Sequence, residues 1–195
     1  MNTPFSAADL IALHAPEVAE PDRAQLAAAA ELLAEVWPLG RLHFYADIQY
    51  DEAWSTPGPI HRHGFDRLCA GGERVVFFHK GGEWCLKAPR DCGYERANQR
   101  EVAVLAALAD ADRALFARTI ALPGDILLQR VYRIDPERFL AFERESRDIT
   151  QAQRRLGVTD LNPVNVGWAE DGSWRFIDWA GTRQHVTVSL EPAWW

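Results

Sequence analysis

Val164-Asn165-Val166-Gly167-Trp168, then Asp171-Gly172, then Trp174-Arg175-Phe176-Ile177 constrain this chain more than any other stretch. Two apolar runs flank an Asp-Gly pair, which suits the left-handed backbone of a tight turn. The segment therefore predicts a β-hairpin. A hairpin brings the outer ends of its strands together. Asn165, at the start of the first strand, and Asp178, just after the second, are expected at that shared end. Asp160 lies shortly upstream, in Thr159-Asp160-Leu161-Asn162-Pro163. All three side chains can bind metal or move protons.

The rest of the chain reads as a mixed succession of elements. Helical patterns cover 6–15 and 22–36, the second with Leu26, Leu32, Leu33 and Val36 on one side. Residues 41–49 alternate enough for a strand, and 52–64, with Pro57-Gly58-Pro59, read as a loop. A three-stranded meander follows: Phe65–Leu68, a turn at Ala70-Gly71-Gly72-Glu73, Arg74–Phe78, a turn at Lys80-Gly81-Gly82-Glu83, and Trp84–Lys87. Residues 94–109 form a helix, 117–122 and 126–132 are strands, and 136–155 form one long helix before the hairpin. There is no internal repeat.

Composition excludes several classes. A hydrophobic content of 48% supports a packed core, and a net charge of −7 argues against a nucleic-acid-binding surface. No apolar run is long enough to span a membrane, and no Lys/Arg-led signal segment opens the chain. Cys69, Cys85 and Cys92 have neither zinc-motif nor disulfide-framework spacing, so a reducing cytoplasm is the expected setting. His61-Arg62-His63 reads as a polar loop rather than a metal site. The alternating charges of 143–148 read as a solvated helix face.

The Asp160-x-x-x-x-Asn165 spacing, with Asp178 after a second strand, resembles the catalytic loop and metal-binding Asp of the protein-kinase-like superfamily. The wording Asp-Leu-Asn-Pro-Val-Asn-Val and Ile-Asp-Trp is closer to its bacterial and small-molecule branch, which includes aminoglycoside and lipopolysaccharide-core kinases. The resemblance implies an α+β, two-lobed fold: an N-terminal helical segment (1–40), a sheet lobe (41–132) and a minimal C-lobe (133–195). It implies ATP and Mg²⁺ as cofactors. Asp160 would orient or deprotonate the acceptor hydroxyl, and Asn165 and Asp178 would hold Mg²⁺. Lys87, ending the apolar strand Trp84-Cys85-Leu86-Lys87, would bind the α- and β-phosphates. Its Glu partner is Glu101 or Glu95. Glu101 is preferred, because it sits mid-helix, whereas an acidic residue in the first turn needs no functional explanation. Gly71 and Gly72 would cover the phosphates, and backbone around Gln129, Arg130, Val131 and Tyr132 would face adenine.

The sequence departs from that family in places. In the phosphate loop only Gly71 matches cleanly, with Cys69 and Arg74 replacing the outer glycines. Val158-Thr159 stand in place of His-Arg, which argues against regulation by a phosphorylated activation loop. Trp179-Ala180-Gly181 follow Asp178 instead of Phe-Gly. Little chain follows Asp178, too little for a large acceptor-binding subdomain. That shortness resembles small bacterial effector kinases delivered into host cells. The acceptor implied first is a protein Ser/Thr hydroxyl, with a host protein as one candidate. A small molecule or sugar is the alternative, and a non-catalytic pseudokinase interaction module is a third.

Overall fold

A computed structural model describes residues 6–36, 59–70, 74–89, 97–141, 143–158 and 162–179. The fold is α+β with antiparallel sheets. Contacts divide the chain into two compact units. Among the described residues, the first takes everything up to Gln99 together with Thr119–Arg130. The second takes Arg100–Arg118 and everything from Val131.

The first unit is built on a five-stranded antiparallel sheet: β1 (Phe65–Ala70), β2 (Arg74–His79), β3 (Trp84–Pro89), β4 (Thr119–Leu122) and β5 (Ile126–Arg130), in the order β1-β2-β3-β5-β4. Period-two alternation sorts its residues by face. Val75, Phe77, Trp84, Leu86, Ala88, Ile120, Leu122, Ile126 and Leu128 point to one side. That face packs on α1 (Ala7–His14) and α2 (Arg23–Val36), which contribute Leu10, Leu26, Ala29, Ala30, Leu32 and Leu33. Leu26, Ala29, Ala30 and Leu33 recur at helical spacing, so one stripe of α2 meets the sheet. A capping box starts α1: the Asp9 N–H donates to Ser6 Oγ at 3.1 Å, and the Ser6 N–H donates back to Asp9 Oδ2 at 3.4 Å.

The expected loop over 52–64 is corrected in part: Pro59–Arg62 forms a helical turn, α3. Proline is suited to the first helical position, and Ile60 is buried in the core. The expected strand at 41–49 lies outside the described residues.

The second unit takes α4 (Ala97–Ala107) from Arg100 on, followed after an extended Ala109 by a one-turn helix α5 (Asp110–Arg113) that sequence reading missed. A three-stranded sheet follows the order β6-β7-β8, with β6 Arg133–Ile134, β7 Val166–Trp168 and β8 Trp174–Phe176. The expected strand 126–132 is therefore shorter: β5 ends at Arg130, and Arg133–Ile134 join the other sheet. Within the expected helix over 136–155 the described residues are helical as α6 (Pro136–Ala141) and α7 (Glu143–Leu156), and Phe142 lies outside the described residues. Asp135 Oδ1 accepts the Arg138 N–H at 2.9 Å, which fixes the start of α6. Ile149, Ala152 and Leu156 form the buried stripe of α7, and Arg147 and Asp148 are exposed, as a solvated face requires. The core gathers Val104, Phe116, Ile149, Leu156, Val166, Trp168, Phe176 and Trp179. Phe116 packs edge-on against Trp179, with ring centroids 5.0 Å apart.

Candidate functional site

The hairpin forms as its sequence predicts. Val166 pairs with Phe176 and Trp168 with Trp174. The connecting turn is closed by the Ala169 N–H donating to the Ser173 carbonyl at 2.8 Å. Asp171 Oδ1 accepts the Ser173 N–H at 2.8 Å, and Gly172 takes a positive φ of 82° that other residues resist. Hydrogen bonding to Ser173 lowers the Asp171 carboxyl below the ordinary aspartate range.

At the opposite end of the hairpin lie Asn165 and Asp178. A 3-10 turn, Pro163–Asn165, leads into β7. Asn162 caps it by accepting the Val164 N–H at 3.2 Å, and the Asn165 N–H donates to the Asn162 carbonyl at 2.8 Å. The Ile177 N–H then donates to the Asn165 carbonyl at 2.9 Å, across the strand ends. That bond fixes the backbone next to Asp178 against the backbone of Asn165. Both side chains are half-buried.

Gly167 explains how tightly this end is built. A Cβ on it would lie 2.4 Å from Tyr132 Cβ and 3.0 Å from Ile177 Cγ2. Tyr132 thus rests directly on the hairpin backbone, where only glycine leaves room. On the hairpin's other edge, Phe116 bridges Phe176 in parallel. The Ala117 N–H donates to the Phe176 carbonyl at 2.8 Å, and the Phe176 N–H donates to the Leu115 carbonyl at 2.9 Å.

Trp179 anchors the residue after Asp178. Its indole N–H donates to the Glu101 carbonyl at 3.2 Å, and its backbone N–H lies 3.4 Å from Glu101 Oε1. Trp179 and Glu101 are both fully buried. Sequence reading made Glu101 the preferred partner of Lys87. It missed this bond, because Trp179 read only as a departure from Phe.

In the first unit, Lys87 lies on β3, opposite Val76 on β2 and Leu127 on β5. It is 5% exposed, and all six β3 residues are buried. Lys87, Cys85, Leu127 and Gln129 share the sheet face away from α1 and α2. Gln129 Nε2 donates to Thr119 Oγ1 at 3.0 Å. Arg130 Nη2 meets Glu83 Oε2 at 2.9 Å, and its Nη1 meets Asp22 Oδ2 at 3.8 Å. The Arg130 side chain thus joins the β2–β3 turn to the start of α2. Val131 and Tyr132 follow in the second unit and are half-buried. Asp160, Gly71, Gly72 and Glu95 lie outside the described residues.

Among the described residues no three His, Cys, Asp or Glu side chains could together hold a metal ion. His63 instead meets α2, its Nε2 2.9 Å from Glu35 Oε2 and its Nδ1 3.7 Å from Glu31 Oε2. Arg62 also pairs with Glu35. Mg²⁺ does not need a three-residue cage. It keeps several waters and binds through one or two carboxylates plus substrate phosphates. A half-buried carboxylate and a carboxamide at one hairpin end are hard oxygen donors of that kind.

No protein-family model matches the chain, and no curated protein matches it in sequence. The reading of this site therefore rests on its own geometry. Among the described residues no helix is long and apolar enough to cross a membrane.

Proposed function

We propose that this chain is an ATP- and Mg²⁺-dependent phosphotransferase with a protein serine or threonine hydroxyl as acceptor. The observation that carries the reading is the join between Asn165 and Ile177-Asp178, which brings a carboxamide and a carboxylate to one end of a short hairpin. Two further features support it. A lysine is buried on the third strand of a five-stranded antiparallel sheet. The helix that follows this strand carries a buried glutamate. In this reading the first unit is the sheet lobe and the second is the lobe of the catalytic loop.

Asn165 and Asp178 would hold Mg²⁺, and bound Mg²⁺ would neutralise charge on the nucleotide phosphates. Lys87 would take the α- and β-phosphates. Asp160 would accept the acceptor's hydroxyl proton. Glu101, tied to Trp179, would keep α4 and the Asp178 segment in a fixed relation. Such a site works chiefly by positioning and by preset charge.

The test is incubation of the full chain with labelled ATP, Mg²⁺ and a host-cell lysate. Labelled protein bands that vanish with Asp160→Ala and with Asp178→Ala are expected. Label confined to the small-molecule fraction would move the acceptor to a sugar or other small hydroxyl compound. Absence of Mg·ATP binding by calorimetry would return the chain to a non-catalytic interaction module.

A further inference from the structure

β3 runs on past the end of its pairing with β5. Its ladder with β5 runs from Trp84 opposite Arg130 to Lys87 opposite Leu127 and goes no further. The next residues are Ala88 and Pro89, and proline has no N–H to donate. On the other side, β5 emerges from a turn in which Gly124 and Asp125 both take positive φ, 76° and 58°. Lys87 thus belongs to the last pair of this ladder, and Asp125 to the turn that leads into β5.

Asn98 occupies that place. Its Nδ2 donates to the Lys87 carbonyl at 2.9 Å and to the Asp125 carbonyl at 2.6 Å. The side chain is 0% exposed. Its Oδ1 is buried without a hydrogen-bond partner. An apolar side chain of similar shape would not carry that unmet acceptor, so packing alone does not account for an asparagine here. The two donated bonds do account for it. They set the orientation of the Lys87 peptide, and with it the direction in which the Lys87 side chain leaves the strand.

We propose that Asn98 is a positioning residue for Lys87: its amide ties β3 at Lys87 to the β4–β5 turn at Asp125 and holds the lysine for an anionic, phosphate-bearing ligand. The proposal rests on the nucleotide reading given above. It adds a residue to that site that does not itself touch the ligand.

A double-mutant cycle on the full chain tests it. Calorimetry gives the affinity for a non-hydrolysable Mg·ATP analogue in the wild type, Asn98→Ala, Lys87→Met and the double variant. Asn98→Ala is expected to weaken binding about tenfold when Lys87 is present, and to have no further effect beside Lys87→Met. Hydrogen exchange at the amides around Ala88 and Ile126 should quicken in both Asn98 variants. Should Asn98→Ala fail to fold, Asn98→Asp, of the same shape, takes its place in the cycle. Equal weakening in both lysine backgrounds, or none in either, would show that Asn98 merely supports the sheet. A wild-type chain that binds no Mg·ATP analogue would overturn the nucleotide reading and this proposal with it, whereas a failed cycle on a binding wild type overturns only the role of Asn98.

Discussion

Lys87 lies inside a strand whose six residues are all buried, in a sheet five strands wide. Asn165 and Asp178 lie just outside strands of three residues each. The first position is held by ladder bonds on both sides and by one side-chain amide. The second is held by a capped 3-10 turn, one bond across the strand ends, and close packing on Gly167 and Trp179. A wide sheet fixes a residue through many weak constraints that share the load. A short hairpin fixes its ends through a few contacts, each of which matters more. Substitutions near the hairpin should therefore have sharper effects than equivalent ones near β3.

The largest effect is expected on activity. If the proposed function holds, Asp178→Ala should lower phosphoryl transfer at least about 100-fold, since it removes the carboxylate proposed to hold Mg²⁺ at the phosphates. Its circular dichroism and unfolding midpoint should stay close to wild type, because Asp178 is only half-buried. Steady-state kinetics on the folded variant checks this. Full turnover would remove the metal role and with it the contrast between the two regions.

Next comes stability of the hairpin. Gly167→Ala places a methyl group 2.4 Å from Tyr132 Cβ, an atom attached directly to backbone and unable to swing away. We expect a loss of about 2–3 kcal/mol in denaturant unfolding, as for overpacking elsewhere. Trp179→Phe keeps an aromatic ring against Phe116 but deletes the indole donor to the Glu101 carbonyl. Loss of that one buried hydrogen bond should cost about 1 kcal/mol. A wild-type midpoint in both variants would mean that the hairpin shares its load as the wide sheet does. At α1, Ser6→Ala should cost about 1 kcal/mol through the lost cap.

The two regions also differed in how far the sequence revealed them. β2 and β3 were legible because apolar runs and Gly-Gly turns coincide there. The hairpin was legible because Asp171-Gly172 and its flanks agree on one turn. Pro59–Arg62 was hidden, since Pro57-Gly58-Pro59 signals a loop and a single turn of helix is too short to show a period. Arg133–Ile134 was hidden as well, because two exposed residues carry no alternation. Asn98 gave no signal at all: its role depends on two carbonyls brought together by folding from positions far apart in the chain. Glu101 was found through its neighbours on α4, but its bond to Trp179 was not, for the same reason.

The smallest effect lies in the first unit, where Glu35 on α2 meets His63 and Arg62. The hydrogen bond from His63, opposed by a little desolvation and aided by Arg62, lowers the Glu35 carboxyl below its ordinary value of 4.5. A carboxyl with a lowered folded-state pKa stabilises the fold fully above its unfolded value. That contribution disappears as pH falls through the folded value. The contact between α2 and the α3 turn should thus be intact at neutral pH and weaken only below pH 4.5. Glu35 is more than a third exposed, so water and salt screen most of the gain. Glu35→Gln should therefore lower the unfolding midpoint slightly at pH 7 and by less at pH 3, below the ordinary carboxyl value. An equal shift at both values would mean that the carboxylate charge contributes nothing and that α2 is held, like the rest of the wide sheet's support, by Leu26, Ala29, Ala30 and Leu33 alone.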